Sequence, residues 1–227
     1  MELNGKVAWV VGGSSGIGAA VARELVLRGI GRRGLGETTA APPGRRWRDM
    51  LALTADVTDM CSVAAAAAQV QQDLGPIDLA VISAGYWKQM DPTDWDTEVF
   101  DRHVQVNLVG TSNTIAAVLP GMLRRRSGVI AGIASVAGYR GLAGAEAYGA
   151  TKAAQINLLE SLRVHVAQYR RAGHDGVPRL CTDRSHRRQS LPYAVHDREA
   201  DRAARFICDG LERGRSEIAF PRRWRCS

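Results

Sequence analysis

Short apolar runs alternate with helix-patterned stretches along most of this chain. "KVAWVVGG", beginning at Lys6, is a continuous apolar run that stops at glycine, the pattern of a strand buried on both faces. "MLALTADVTD", "IDLAVISAG" and "SGVIAGIAS" repeat the theme, each ending in a turn or in small residues. Between the first two lies "GIGAAVARELVLRG", in which Ile17, Val21 and Leu25 share one helix face and Gly29 supplies a C-cap. "MCSVAAAAAQVQQDLG" reads as a second helix, and the stretch from "DWDTEVF" to "LPGMLRRR" carries one or two more. "AEAYGATKAAQINLLESLRVHVAQYR" is a long helix with Ile156, Leu159, Leu162 and Val166 along one side. "DREADRAARFICDGLERG" follows as a late amphipathic helix and "SEIAF" as a last strand. This alternation predicts an α/β domain with a parallel sheet covered on both faces. Neither a repeat nor a linker interrupts it, so residues 1–227 are expected to form a single domain.

Three stretches break the pattern. Residues 30–48 are rich in Gly, Arg and Pro with neither period, residues 170–196 are polar and arginine-rich, and the end of the chain reads "RRWRCS". The 227 residues, 45% of them hydrophobic, are enough for a sizeable core. No run of eighteen apolar residues occurs and the N-terminus lacks a leader pattern, so the sequence predicts a cytoplasmic protein with no membrane partner. The four cysteines (Cys61, Cys181, Cys208, Cys226) are scattered and read as free thiols, and the five histidines have no metal-like spacing. The net charge is +7, with 27 arginines among the 30 basic residues. Such charge can attract nucleic acid, but no recognition motif accompanies it, so no nucleic-acid partner is expected.

The first strand runs into "VGGSSGIG". Glycines at this strand-to-helix turn let backbone N–H groups and the positive helix end approach a pyrophosphate; the alternative is a tight turn with no ligand. Gly12, Ser14, Ser15, Gly16, Ile17 and Gly18 are the candidate contacts. Two further strand ends agree. Asp56 and Val57 follow the second apolar run, where Asp56 can accept from an adenine amino group or simply cap a helix or turn. Ser83, Ala84 and Gly85 end the next run and leave room for a flat cofactor.

"YGATK" puts Tyr148 and Lys152 four residues apart on one helix face, a spacing that alone does not distinguish a catalytic pair from a half-buried surface pair. Together with "VGGSSGIG", "ADV", "SAG", "NLVGT" and "IASVAG", in that order from residue 5 to about residue 168, it makes the chain resemble the short-chain dehydrogenase/reductase family. The resemblance implies a doubly wound parallel sheet (Rossmann-like) in a three-layer α/β/α arrangement. It also implies bound NAD or NADP, and hydride transfer between nicotinamide and an alcohol or carbonyl. It makes Asn107, Ser135, Tyr148 and Lys152 the catalytic set, with Tyr148 and Lys152 also touching the cofactor. A phenol of pKa about 10 is a poor acid/base at neutral pH, and a nearby ammonium lowers it. Ser135 would donate to the substrate oxygen, and Asn107 would hold a water that relays protons to Lys152. Relatives of this kind pair through the helices that carry Asn107 and Tyr148, so the resemblance implies a homodimer or homotetramer acting on a small-molecule alcohol or carbonyl.

Four departures from the family pattern stand out. Val11 takes the place of a threonine before the first glycine, and Ile82 and Ser83 stand where two asparagines are usual. The stretch "IGRRGLGETTAAPPGRR" is a poor second strand; its Arg32 or Arg33 favours NADP weakly over NAD. The expected Pro-Gly-x-x-x-Thr loop past the tyrosine is missing from "GVPRLCTDRSHRRQSLPYAVHD". A slip of the reading frame accounts for both stretches. Val177 to Asp183 can be back-translated so that a shift of one base gives "CPGFVRT", and Gly31 to Glu37 likewise gives "VAVASAR". A catalytically impaired or frame-damaged relative that keeps the core without turnover is therefore the alternative expectation.

Overall fold

The computed structural model describes residues 2–30, 35–37, 50–171, 179–185 and 197–220. Strands β1 (Ala8–Val11), β2 (Leu35–Glu37), β3 (Met50–Ala52), β4 (Leu79–Ile82), β5 (Val129–Ile133), β6 (Arg179–Ser185) and β7 (Glu217–Phe220) form one sheet. Its order is β3-β2-β1-β4-β5-β6-β7, and every neighbouring pair is parallel. Strand order reverses between β1 and β4, so this is the expected doubly wound sheet, with a crevice at the carboxyl ends of those two strands.

Side chains alternate across the sheet with a period of two. Ala8 and Val10 of β1, with Leu79 and Val81 of β4, join one core that also takes in Val21 and Leu25 of α1 (Gly16–Leu27) and Ala204 and Ile207 of α6 (Asp197–Glu212). Trp9 and Val11, with Ala80 and Ile82, face the other core. There they meet Val63 and Val70 of α2 (Met60–Leu74), Ile115 and Val118 of α4 (Gly110–Arg125), and Leu159 and Val166 of α5 (Glu146–Arg171). The result is the three-layer α/β/α arrangement. Arg28, just past α1, binds Glu24 at 2.8 Å and the α6 residues Asp209 at 2.7 Å and Glu212 at 2.8 Å, tying the two helices of one layer together.

The stretch expected to hold one or two helices is α3 (Thr97–His103), a π-helical segment (Val104–Val109) and α4 in unbroken succession. Together they span Thr97–Arg125, long and apolar enough to cross a membrane by length and composition, yet Asn107, Thr111 and Thr114 are buried polar residues within it. Two elements were not legible as strands. β2 is only three residues of the Gly- and Arg-rich stretch, and β6 lies in the polar one, held by β5 on one side and β7 on the other.

Candidate active site

The turn from β1 to α1 packs directly on the end of β4. Gly12 has φ +87°, and a Cβ there would lie 2.5 Å from Ala84 Cα and 2.8 Å from the Ser83 carbonyl carbon. The N–H groups of Ser83 and Ala84 both reach the Val11 carbonyl at 2.8 Å. Gly18, in the first turn of α1, faces the Gly12 carbonyl, and a Cβ there would meet Ser83 Oγ at 2.9 Å. Any side chain at either glycine would fill this junction. Ser14, Ser15 and Gly16 are exposed, and nothing lies within 4 Å of where a Gly16 Cβ would be. Ser15 caps α1 without a side-chain hydrogen bond, and the first turn carries no acidic residue. The positive end of a twelve-residue helix therefore opens onto the crevice at the sheet's reversal point, an environment that fits the pyrophosphate of a dinucleotide. Ile17 packs partly buried against the core behind it.

Asp56 is exposed and accepts from the Thr58 hydroxyl at 2.7 Å and the Thr58 N–H at 2.9 Å, which hold its carboxyl below the usual range. The turn reading of this residue is thus realised, and the carboxylate remains anionic and open to solvent. Val57 rests against Gly110 and its carbonyl accepts from Asn113 Nδ2 at 2.9 Å. Gly85, exposed, lies beside Asn107 Oδ1, 3.6 Å from where its Cβ would be.

Tyr148 and Lys152 lie in the first two turns of α5, beside the end of β5. Lys152 is 4% exposed. Its Nζ donates to the Ile133 carbonyl at 2.8 Å and to Gln155 Oε1 at 3.0 Å, and stands 5.7 Å from the Tyr148 ring centroid. Burial pulls its pKa down to about 8. Ser135 follows β5 and caps the short 3-10 helix Val136–Gly138, its Oγ accepting from Ala137 N at 3.3 Å. That turn is pressed onto α5: a Cβ on Gly138 would come 2.8 Å from the Lys152 carbonyl carbon. The contact fixes Ser135 against the helix that carries Tyr148.

Asn107 sits in the π-helical segment with no exposed surface. Its Oδ1 accepts from Tyr86 N at 2.7 Å, and its Nδ2 donates to the Tyr86 carbonyl at 3.1 Å and to Thr151 Oγ1 at 3.0 Å. Thr151 Oγ1 in turn donates to the Tyr148 carbonyl at 2.8 Å. The Asn107 carbonyl accepts from Thr111 Oγ1 at 2.7 Å, and Gln155 Nε2 donates to the same hydroxyl at 2.7 Å. The amide thus holds the chain after Gly85 and braces α5. From the Asn107 backbone carbonyl a run of hydrogen bonds leads through the side chains of Thr111 and Gln155 to Lys152.

Several residues of the site carried no assigned role in the sequence. Trp87 stands edge-on to Tyr148, with centroids 5.1 Å apart, and His103 lies 6.4 Å from the same ring. Thr111 lies four residues after Asn107, and Gln155 three after Lys152, helical spacings that mark them as face neighbours of the predicted pair. A cavity of about 530 Å³ is lined by Tyr139, Arg140, Gly149, Ala150 and Ala153. Those α5 positions lie on the face opposite Tyr148, Lys152 and Gln155. Arg32 and Arg33 lie outside the described residues.

Comparison with known proteins shows the family and the fold. The family model described as short chain dehydrogenase matches residues 6–171. An acetoacetyl-CoA reductase from Synechocystis sp. is 36% identical over 174 residues, 74% of this chain and 69% of that protein. An uncharacterized oxidoreductase from Myxococcus xanthus is 29% identical over 242 residues, 97% of this chain and 89% of its own length. A solved short chain dehydrogenase/reductase from Burkholderia phymatum, in complex with NAD, superposes with a TM-score of 0.80 at 20% identity, over 96% of this chain and 90% of that one. At that identity the likeness speaks for the fold. The family match over residues 6–171, joined by a curated relative at 36% identity, makes this chain a member of the short-chain dehydrogenase/reductase family and an oxidoreductase.

Proposed function

We propose that this oxidoreductase transfers a hydride between NAD(P) and a small alcohol or carbonyl compound, with Tyr148 as general acid/base. The observation that carries the reading is the buried Lys152 ammonium, 5.7 Å from the Tyr148 ring centroid and bonded to the Ile133 carbonyl at the carboxyl end of β5, the neighbour of β4. The bound cofactor supplies the hydride donor or acceptor. Gly12, Ser14, Ser15, Gly16, Ile17 and Gly18 hold its pyrophosphate, Asp56 and Val57 its adenine end, and Ser83, Ala84 and Gly85 flank it at the strand ends. In the reductive direction Tyr148 delivers its proton to the oxygen that gains charge. Lys152, protonated for the most part at pH 7 with a pKa of about 8, stabilises the phenolate left behind. Ser135 donates a hydrogen bond to the same oxygen. Asn107 acts at one remove, holding the Tyr86 backbone and, through Thr151, the turn of α5 that bears Tyr148. NADP is weakly favoured over NAD on the strength of Arg32 or Arg33 in the sequence, and the working unit is a homodimer or homotetramer.

Titration of the protein with NADPH and NADH, followed by nucleotide fluorescence, tests this reading. Saturable binding of at least one, tighter for NADPH, is expected; binding of neither would end it.

One observation favours the alternative of a frame-damaged relative. Internal strands of parallel sheets are covered on both faces and run almost wholly apolar. Yet β6, paired on both edges, has the sequence Arg-Leu-Cys-Thr-Asp-Arg-Ser over Arg179–Ser185. On this reading the nucleotide binds but no carbonyl in a broad panel is reduced. Resequencing the gene and peptide mass spectrometry across residues 170–196 decide it, since an intact frame with those peptides present rules out a slip.

A further inference from the structure

We propose that Gln155 is a positioning residue that holds Lys152 as a fixed cation beside Tyr148. The proposal rests on the reading of Tyr148 and Lys152 as the acid/base pair.

An ammonium taken out of water needs a counter-charge or a full set of acceptors. Among the described residues no carboxylate lies within ion-pair distance of Lys152. Tyr148 is the titratable group beside it. Its charge is therefore met by two neutral oxygens, the Ile133 carbonyl at 2.8 Å and Gln155 Oε1 at 3.0 Å. The first belongs to the β5 backbone and is present whatever the side chains are. The second depends on the residue at position 155, which is fully buried.

The far end of Gln155 is equally committed. Its Nε2 donates to Thr111 Oγ1 at 2.7 Å, and that hydroxyl donates to the Asn107 carbonyl at 2.7 Å. All three links point the same way: Lys152 to Gln155, Gln155 to Thr111, Thr111 to Asn107. Such a run polarises each member in turn and strengthens the oxygen that faces the ammonium. With the amide nitrogen anchored, the amide cannot flip to present its own N–H groups to Lys152. A carboxamide carries no titratable proton, so this link positions charge rather than passing protons on. Two of the three ammonium donors are used, which leaves a third for the site itself.

The chain has three lysines, Lys6, Lys88 and Lys152, which makes a direct test practicable. Lysine labelled with ¹³C at Cε is incorporated into the full-length protein and each signal is followed by NMR through neutral and alkaline pH. Lys152→Met assigns the buried signal. In the wild type Lys152 is expected to titrate near 8. Gln155→Leu removes an acceptor from a charged donor and should lower that midpoint by about one pH unit. Gln155→Glu sets a carboxylate in the same place, with the Thr111 hydroxyl able to turn toward it, and should raise the midpoint above the wild-type value. If Gln155 only filled space, the Leu variant would keep the wild-type midpoint, because no acceptor would have been lost. An unchanged Lys152 midpoint in the Leu variant overturns the proposal, and if that variant does not fold, failure of the Glu variant to raise the midpoint does so. The titration requires neither cofactor nor substrate. Loss of NADPH binding by the wild type would therefore refute the proposed function without touching this result.

Discussion

The Trp87 ring stands edge-on to that of Tyr148, with centroids 5.1 Å apart and planes at 84°, and His103 holds Trp87 there. His103 is buried; its Nδ1 lies 2.7 Å from the Val99 carbonyl and its Nε2 accepts from Lys88 N at 3.2 Å. Those partners require the neutral tautomer with the proton on Nδ1, and burial lowers the His103 pKa below the ordinary 6.5. The unfolded chain therefore takes up the proton first as pH falls. The stability carried by neutral His103 is full above about 6.5 and is lost below it, at up to about 1.4 kcal/mol per pH unit. Thermal unfolding from neutral to mildly acidic pH should show the wild type losing more stability than His103→Asn over that window. Parallel curves would remove His103 from this role.

Gly12→Ala and Gly16→Ala separate backbone strain from collision. Both positions have positive φ, +87° and +57°, but only Gly12 faces backbone atoms of β4. Gly16→Ala should cost about 1 kcal/mol, the left-handed penalty alone. Gly12→Ala adds a clash and should cost about 2 kcal/mol or more, with weaker NADPH binding as the turn is displaced. Denaturant unfolding of the two variants measures the difference, and equal losses would contradict the packing described.

Lys152→Met should report the burial of the ammonium through pH. The folded pKa of about 8 lies below the ordinary 10.5, so between those values the unfolded state binds the extra proton. Folding stability of the wild type therefore rises with pH in that window, by about 1.4 kcal/mol per unit. The variant lacks this slope. Unfolding free energies at neutral and alkaline pH, compared between the two proteins, check it.

The same residue sets a pH limit on turnover. Carbonyl reduction needs the Tyr148 proton and the Lys152 charge, so kcat/KM for reduction should fall as pH rises through about 8, with the apparent value belonging to the pair. A profile flat to well above that value would mean that Lys152 is not needed in its charged form.

Much of this molecule is legible in its sequence because local chemistry agrees with the fold. Ala8 to Val11 is apolar at every position and becomes a strand buried on both faces, and Ile17, Val21 and Leu25 mark the face of α1 that packs on the sheet. The glycine turn is legible because its two close approaches exclude a Cβ. The rest depends on tertiary contacts. β6 carries no apolar run, so only its pairing with β5 and β7 reveals it. Asn107 gives no hint in sequence that its amide is fully used by Tyr86 and Thr151, since the Tyr86 partner is 21 residues away. Thr111 and Gln155 stand at helical spacings from Asn107 and Lys152. Polar residues at such spacings are, however, usually solvated, and here they are buried.

Tyr148→Phe is the most direct test of the central claim. The exchange removes one hydroxyl and keeps the ring that packs against Trp87. NADPH affinity and thermal stability should stay close to wild type, while single-turnover NADPH oxidation against a panel of aldehydes and ketones should slow by about a hundredfold or more. Oxidation by Tyr148→Phe at the wild-type rate would show that the proton comes from elsewhere.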